Sequence, residues 1–251
     1  MKPETVRKAD DAGRARGCGS LHAQGVIFDM DGVIFDTERF YLDCCIPAAE
    51  KLGMERIEEV SFRCIGLTKE ETDRRMLEFY GPDAPLDDFE REVSAVFRQR
   101  YEELKHMPVK PGAEALLSWL KQRQVPLALA SSTRIAIVTQ ELKDAGLYGY
   151  FDVIIGGDMV SRSKPEPDIF LKAAELLGEK PDNCIVIEDS FNGIRAAKAA
   201  GMTAVMVPDQ LEPDEEMRNL ADIILPSLTD VKKWLEQKRT DEKEISKTQA
   251  M

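Results

Sequence analysis

Short apolar runs alternate with amphipathic, helix-length segments through the second half of this 251-residue chain, and that rhythm restricts the fold more than any other feature. Residues 126–130, 151–155, 184–187, 203–207 and 222–225 read as strands. Helices are expected over 112–122, 134–145, 168–177 and 192–200. The second of these puts Ile135, Val138, Leu142 and Ala145 on one face, with Thr133 to cap its start and Gly146 to end it. Gly178 and Gly201 close the next two. The strands are apolar without polar alternation, so both of their faces must be covered. The fold class is therefore α/β: a parallel sheet with helices on both faces.

Between residues 39 and 107 the pattern changes and no strand is legible. Helices are expected over 40–52, with a kink at Pro47, and over 69–80 and 87–105. Gly81-Pro82 and Ala84-Pro85 separate the last two. The organisation expected is a disordered polar tail over 1–21, a sheet unit made of 22–38 and 108–237, an all-helical insert over 39–107, and a polar C-terminal tail over 238–251 that frays. An insert placed after the first strand would lie over that strand's carboxyl end, as a lid does.

A formal net charge of −12 argues against nucleic acid and anionic membrane as partners, because both require a positive field. No apolar run is long enough to span a bilayer, and the N-terminal segment lacks the apolar centre of a secretory signal. The five cysteines form no Cys-x-x-Cys pair and are odd in number, which fits reduced thiols in a cytoplasmic setting. A monomer is the expected state.

Four segments carry chemistry. Asp29-Met30-Asp31-Gly32-Val33 follows the apolar run 25–28, which reads as a buried strand. Carboxylates at the end of such a strand are costly unless a cation meets them, although Asp-Gly alone is also an ordinary turn. Ser131-Ser132-Thr133 follows the strand 126–130 and precedes a helix, a position that attracts phosphate. Ser131, which leaves the strand first, is the expected phosphate contact, and Ser132 or Thr133 is the expected helix cap. Lys164 is held in Ser163-Lys164-Pro165-Glu166-Pro167-Asp168, where the prolines fix the backbone just before a helix. Glu188-Asp189 ends a second apolar strand in carboxylates. Two such strand ends meeting on one sheet edge suit Mg²⁺, which takes one or two carboxylates together with waters and substrate phosphate.

In this order the four segments resemble the haloacid dehalogenase-like hydrolase superfamily, on its phosphate-handling side. The resemblance covers residues 24–237 and rests on DMDGVIFDTE, SKPEPDIF and IEDSFNGI in combination. It implies a Rossmann-like core and, over 39–107, the small α-helical cap of the β-phosphoglucomutase-like branch. It also implies Asp29 as nucleophile, Asp31 as general acid and base, and Ser131 and Lys164 as phosphate ligands. The Mg²⁺ ligands implied are Asp29, Asp31 through its main-chain carbonyl, Asp189, and Glu188 beside it. The substrate implied is a small phosphate monoester, with sugar phosphate as one class.

Asp31 separates this chain from dehalogenase relatives, which lack the second aspartate because halide needs no proton. Phosphonoacetaldehyde hydrolase relatives also differ there and use a cap lysine; Lys51 and Lys69 read here as surface charges. Mutases of the family carry a histidine where alignment places Tyr41, and a cap-loop arginine whose nearest match is Lys69. Both differences favour a phosphatase over the alternative, a phosphosugar mutase. Candidate cap contacts to substrate are Gly66, Thr68, Lys69, Arg74 and Arg75.

Overall fold

The computed structural model describes residues 25–65 and 69–249, with side chains as far as residue 238. The tail expected over 1–21 therefore lies outside the described residues. Strand β1 (Gly25–Phe28) is followed by four helices: α1 (Thr37–Leu52), α2 (Ile57–Phe62), α3 (Lys69–Tyr80) and α4 (Leu86–Leu104). The chain then runs through α5 (Ala113–Gln122), β2 (Leu127–Ala130), α6 (Ile135–Asp144), β3 (Val153–Ile155) and α7 (Asp168–Leu177). It continues through β4 (Cys184–Glu188), α8 (Phe191–Ala199), β5 (Thr203–Met206), α9 (Glu215–Leu220), β6 (Ile223–Ile224) and α10 (Leu228–Gln249). Two compact units result: the helical segment Phe35–Pro108, and a sheet unit built from the chain up to Ile34 and from Val109 onward.

Among the described residues the strands form one parallel sheet in the order β3-β2-β1-β4-β5-β6. The chain thus builds to one side of β1 and then, with β4, to the other. In a parallel sheet that reversal opens a crevice at the carboxyl ends of the central strands. Register aligns those ends, with Phe28 opposite Leu129 on β2 and Ile187 on β4. β1, β2 and β4 are buried along their whole lengths, as strands covered on both faces must be. On one face Ile27, Ala128, Val186 and Ala204 pack with Ile169 and Phe170 of α7 and Ile194 of α8. Alternate strand residues point the other way, and α5 and α10, which contact each other, bury Leu116, Leu117, Leu120, Val231 and Leu235.

In the helical unit α1 packs mainly on α4, with the rings of Phe40 and Phe97 edge-on at 5.1 Å. Pro47 sits inside α1 without ending it. Two short helices escape a reading by periodicity. In α2 only Ile57 and Val60 are buried, while Phe62 is exposed. In α9 the apolar residues are Met217, whose N–H is capped by Asp214 at 2.8 Å, and the partly buried Leu220. The polar stretch expected to fray is helical through Gln249. No helix among the described residues is long and apolar enough to cross a membrane.

The cap expected at α6 is corrected. Arg134 holds the N-cap position and makes no side-chain cap bond. The first helical N–H, of Ile135, is instead accepted by Asp158 at 2.8 Å, from a loop 23 residues away in sequence. That leaves the Thr133 hydroxyl free for another use.

Candidate active site

Asp29 stands one residue past β1, and its N–H continues the ladder to the Ile187 carbonyl at 3.0 Å. Glu188 ends β4, and Asp189 follows it. One carboxylate oxygen from each of Asp29, Glu188 and Asp189 lies within 4.8 Å of the others. Parallel pairing of two strands that end in acids brings these charges together; neither segment does so alone.

One ammonium group enters this cluster. Lys164 Nζ donates to Asp29 Oδ1 at 2.5 Å, to Glu188 Oε1 at 2.7 Å and to the Ala130 carbonyl at 3.3 Å. It lies over the ring of Phe170, 4.9 Å from the centroid, which adds a cation–π contact to the placement. The side chains of Lys164, Asp29 and Glu188 are 7%, 9% and 1% exposed. The other oxygen of Glu188 accepts from the Ser190 N–H at 2.6 Å and the Ser190 hydroxyl at 2.9 Å. Ser190 Oγ in turn accepts from the Gly193 N–H at 3.1 Å and caps α8.

Asp31 is held differently. Its Oδ2 accepts from the hydroxyls of Ser131 at 3.4 Å and Thr133 at 3.2 Å. Ser131 Oγ accepts from the Thr133 N–H at 3.0 Å, so the segment after β2 orients the second aspartate. Asp31's carboxylate is not one of the three clustered groups; the role expected for it toward an ion ran through its main-chain carbonyl.

Two glycines leave room for this arrangement. Gly32 has φ +75, and a Cβ there would collide with the Asp189 carboxylate. A Cβ on Gly193 would occupy the place of the Glu188 carboxylate.

The electrostatics are unbalanced in favour of a further cation. Burial, with Glu188 and Asp31 adding to it, pushes Asp29 up to about 8 despite the attraction of Lys164. Burial and the neighbouring carboxylates Glu188, Asp29 and Asp209 hold Asp189 well above the ordinary aspartate range. The partner carboxylates outweigh the desolvation of Lys164 and raise its pKa. One ammonium does not neutralise three clustered carboxylates, two of them buried.

Six of the sequence-derived site residues, Asp29, Asp31, Ser131, Lys164, Glu188 and Asp189, thus converge on one sheet edge. Gly66 and Thr68 lie outside the described residues. Lys69 pairs with Asp73 and Glu90, Arg74 with Glu71 and Glu78, and Arg75 with Glu71 at 3.6 Å, all within the helical unit. Sequence reasoning missed Thr133, read as a cap, and Gly193, which lies in the IEDSFNGI motif without an assigned role. It also missed Phe170 and the acid Asp209. Membership of a quoted motif was the available signal for Gly193 and, in SKPEPDIF, for Phe170; nothing local marks Thr133 or Asp209.

A family model described as haloacid dehalogenase-like hydrolase matches residues 26–207. The chain is 34% identical over 182 residues to the phosphorylated carbohydrates phosphatase of Thermotoga maritima, covering 72% of this chain and 83% of the relative. It is 35% identical over 220 residues to the bifunctional riboflavin kinase/FMN phosphatase of Arabidopsis thaliana. That match takes in 86% of this chain but spans only 55% of the relative's length. Among solved structures, β-phosphoglucomutase from Clostridium difficile aligns with a TM-score of 0.61 at 28% identity, over 87% of this chain and 98% of that one.

Proposed function

We propose that this chain, which belongs to the haloacid dehalogenase-like hydrolase family on its β-phosphoglucomutase-like side, hydrolyses small phosphate monoesters with Mg²⁺ as cofactor. The observation that carries this reading is the convergence of Asp29, Glu188 and Asp189 oxygens within 4.8 Å, beside a buried lysine. Oxygen-only donors and uncompensated negative charge fit a hard divalent ion, which Asp29, Asp189 and the Asp31 carbonyl would hold with Glu188 beside them. When bound, such an ion neutralises negative charge on the transferring phosphoryl group.

The chain's own groups account for the remaining chemistry. An oxygen of the Asp29 carboxylate attacks phosphorus in line, and the bond from phosphorus to the ester oxygen breaks. Asp31, steadied by Ser131 and Thr133, delivers its proton to the departing alkoxide, and an aspartyl phosphate remains. Water then attacks the phosphorus and gives a proton to Asp31. The Asp29–phosphorus bond breaks, releasing inorganic phosphate and restoring both carboxyl groups. Lys164 and the Ser131 segment bind the phosphoryl oxygens. A placed ammonium is needed, since each unit-charge repulsion at about 4 Å costs about 4 kcal/mol at an effective dielectric of about 20.

A phosphorylated sugar is the substrate class favoured, on the likeness to the carbohydrate phosphatase. The described cysteines Cys44, Cys45, Cys64 and Cys184 are all free thiols, in keeping with the reducing cytoplasm. The solved mutase supports a second reading, phosphosugar mutase, against which stands Tyr41 where mutases place a histidine. A panel of sugar phosphates assayed with Mg²⁺ and with chelator tests the proposal. Phosphate release that chelator stops and Mg²⁺ restores is expected. Release undiminished by chelator would refute the cofactor assignment. Conversion of a hexose 1-phosphate to its 6-phosphate, primed by bisphosphate and without free phosphate, would select the mutase.

A further inference from the structure

A second, partly buried ammonium–carboxylate pair lies near the acidic group. Lys110 Nζ donates to Asp209 Oδ1 at 2.6 Å, with the side chains 19% and 5% exposed. Asp209 lies three residues past the end of β5. In the parallel register Met206 faces Glu188, and the Val207 N–H donates to the Glu188 carbonyl at 2.8 Å. The loop carrying Asp209 therefore leaves the sheet next to the one carrying Asp189. Lys110 is fixed on the other side by its N–H, which donates to the Ile34 carbonyl at 2.8 Å, three residues after Asp31. The Gln210 amide gives Asp209 Oδ1 a second bond at 3.1 Å.

The other oxygen of Asp209 accepts nothing: Oδ2 is buried without a hydrogen-bond partner. A buried carboxylate oxygen left without a donor destabilises the fold, so a folding role alone accounts poorly for it. Asp209 is also among the charges that hold the Asp189 carboxyl above its ordinary range.

We propose that Lys110 and Asp209 form a positioning pair for the cation site, in which Asp209 supplies an outer negative charge backing Asp189 and Lys110 sets how much of that charge the site feels. The inference deepens the Mg²⁺ reading above and rests on it. Groups outside the direct ligands tune metal affinity by about 10–100-fold. The signs are opposite for the two members. Neutralising Asp209 removes negative charge from beside Asp189 and weakens cation binding. Neutralising Lys110 leaves Asp209 uncompensated and tightens it. A purely structural pair would weaken binding whichever member was lost.

The test is Mn²⁺ titration of the full chain, read by the electron paramagnetic resonance signal of the free ion. Asp209→Asn is expected to weaken affinity about 10-fold and Lys110→Gln to tighten it about threefold. Lys110→Arg, which keeps the charge, stays at the wild-type value. The double variant matches Asp209→Asn, because Lys110 acts through Asp209. Metal-free circular dichroism melts establish that each variant is folded; should Asp209→Asn not fold, the Lys110→Gln and Lys110→Arg arms decide. Unchanged affinity in Asp209→Asn, or weakening in Lys110→Gln, overturns the pairing. Failure of the wild type to bind Mn²⁺ at all would instead overturn the cation reading on which it stands.

Discussion

The two units handle charge in opposite ways. In the sheet unit Lys164, Asp29 and Glu188 are almost wholly buried and share their bonds. In the helical unit the charges form exposed pairs along or between helices, such as Lys51 with Glu92 at 2.6 Å and Arg74 with Glu78 at 2.7 Å. Exposed pairs are screened by water and contribute little, so their members can change at small cost to the fold. Buried charges are expensive to assemble, and removing one partner leaves another uncompensated, at about 3–5 kcal/mol. A cluster that the fold keeps in spite of its cost marks where chemistry is done; a solvated charged surface marks where sequence is free to drift.

The strongest challenge to this contrast is Asp29→Asn. It should cut phosphate release by about 10⁴-fold or more while leaving the circular dichroism spectrum unchanged. Residual turnover near wild type would remove the nucleophile from the sheet unit. Next is Gly193→Ala, a change of one methyl group that must enter the space of the Glu188 carboxylate. It is expected to cost about 1–3 kcal/mol in a denaturant melt and to lower activity through the displaced Glu188 and Lys164. Wild-type stability and turnover together would show that the cluster has slack.

The pH dependence sharpens the same point. Asp29 is raised from 3.8 to about 8 without a cation, so the folded protein keeps a proton that the unfolded chain gives up. This group's contribution to stability is full below about pH 4 and is lost as pH rises through about 8. On the proposed reading Mg²⁺ would compete for the same carboxylate, so it should raise the melting temperature more at about pH 8.5 than at about pH 6. Equal shifts at both values would detach the ion from Asp29. The smallest effect is expected in the helical unit. Arg74→Ala should leave the melting temperature unchanged by calorimetry, since among the described residues Arg74 pairs across an exposed helix surface with Glu71 and Glu78. Its KM for sugar phosphates is the quantity that reports on a substrate contact.

Much of the fold was legible because buried parallel strands and amphipathic helices announce themselves locally. The segments that became β2, β4, α6 and α7 lie within two residues of where periodicity placed them. The short α2 and α9 were not legible, since six residues are less than two helical turns and carry two or three apolar positions each. At the site, Asp29, Asp31, Lys164, Glu188 and Asp189 stood out because charge beside an apolar strand or between prolines is unusual. Thr133 did not, because a hydroxyl before a helix has an ordinary local use. Only the arrival of Asp158 at the Ile135 N–H released it to bond Asp31.

The residue order alone determined that a parallel sheet would form and that acids, a serine and a lysine would sit where strands end, because side-chain periodicity and turn chemistry act over a few residues. It also implied, through the motif set, what reaction those residues serve. Tertiary structure alone decided that β4 pairs with β1, and hence that Glu188 and Asp189 meet Asp29 across one lysine. It alone brought Lys110 to Asp209, 99 residues apart. Electrostatic coupling depends on distance in space, and no local pattern in a chain records which distant charges folding will place side by side.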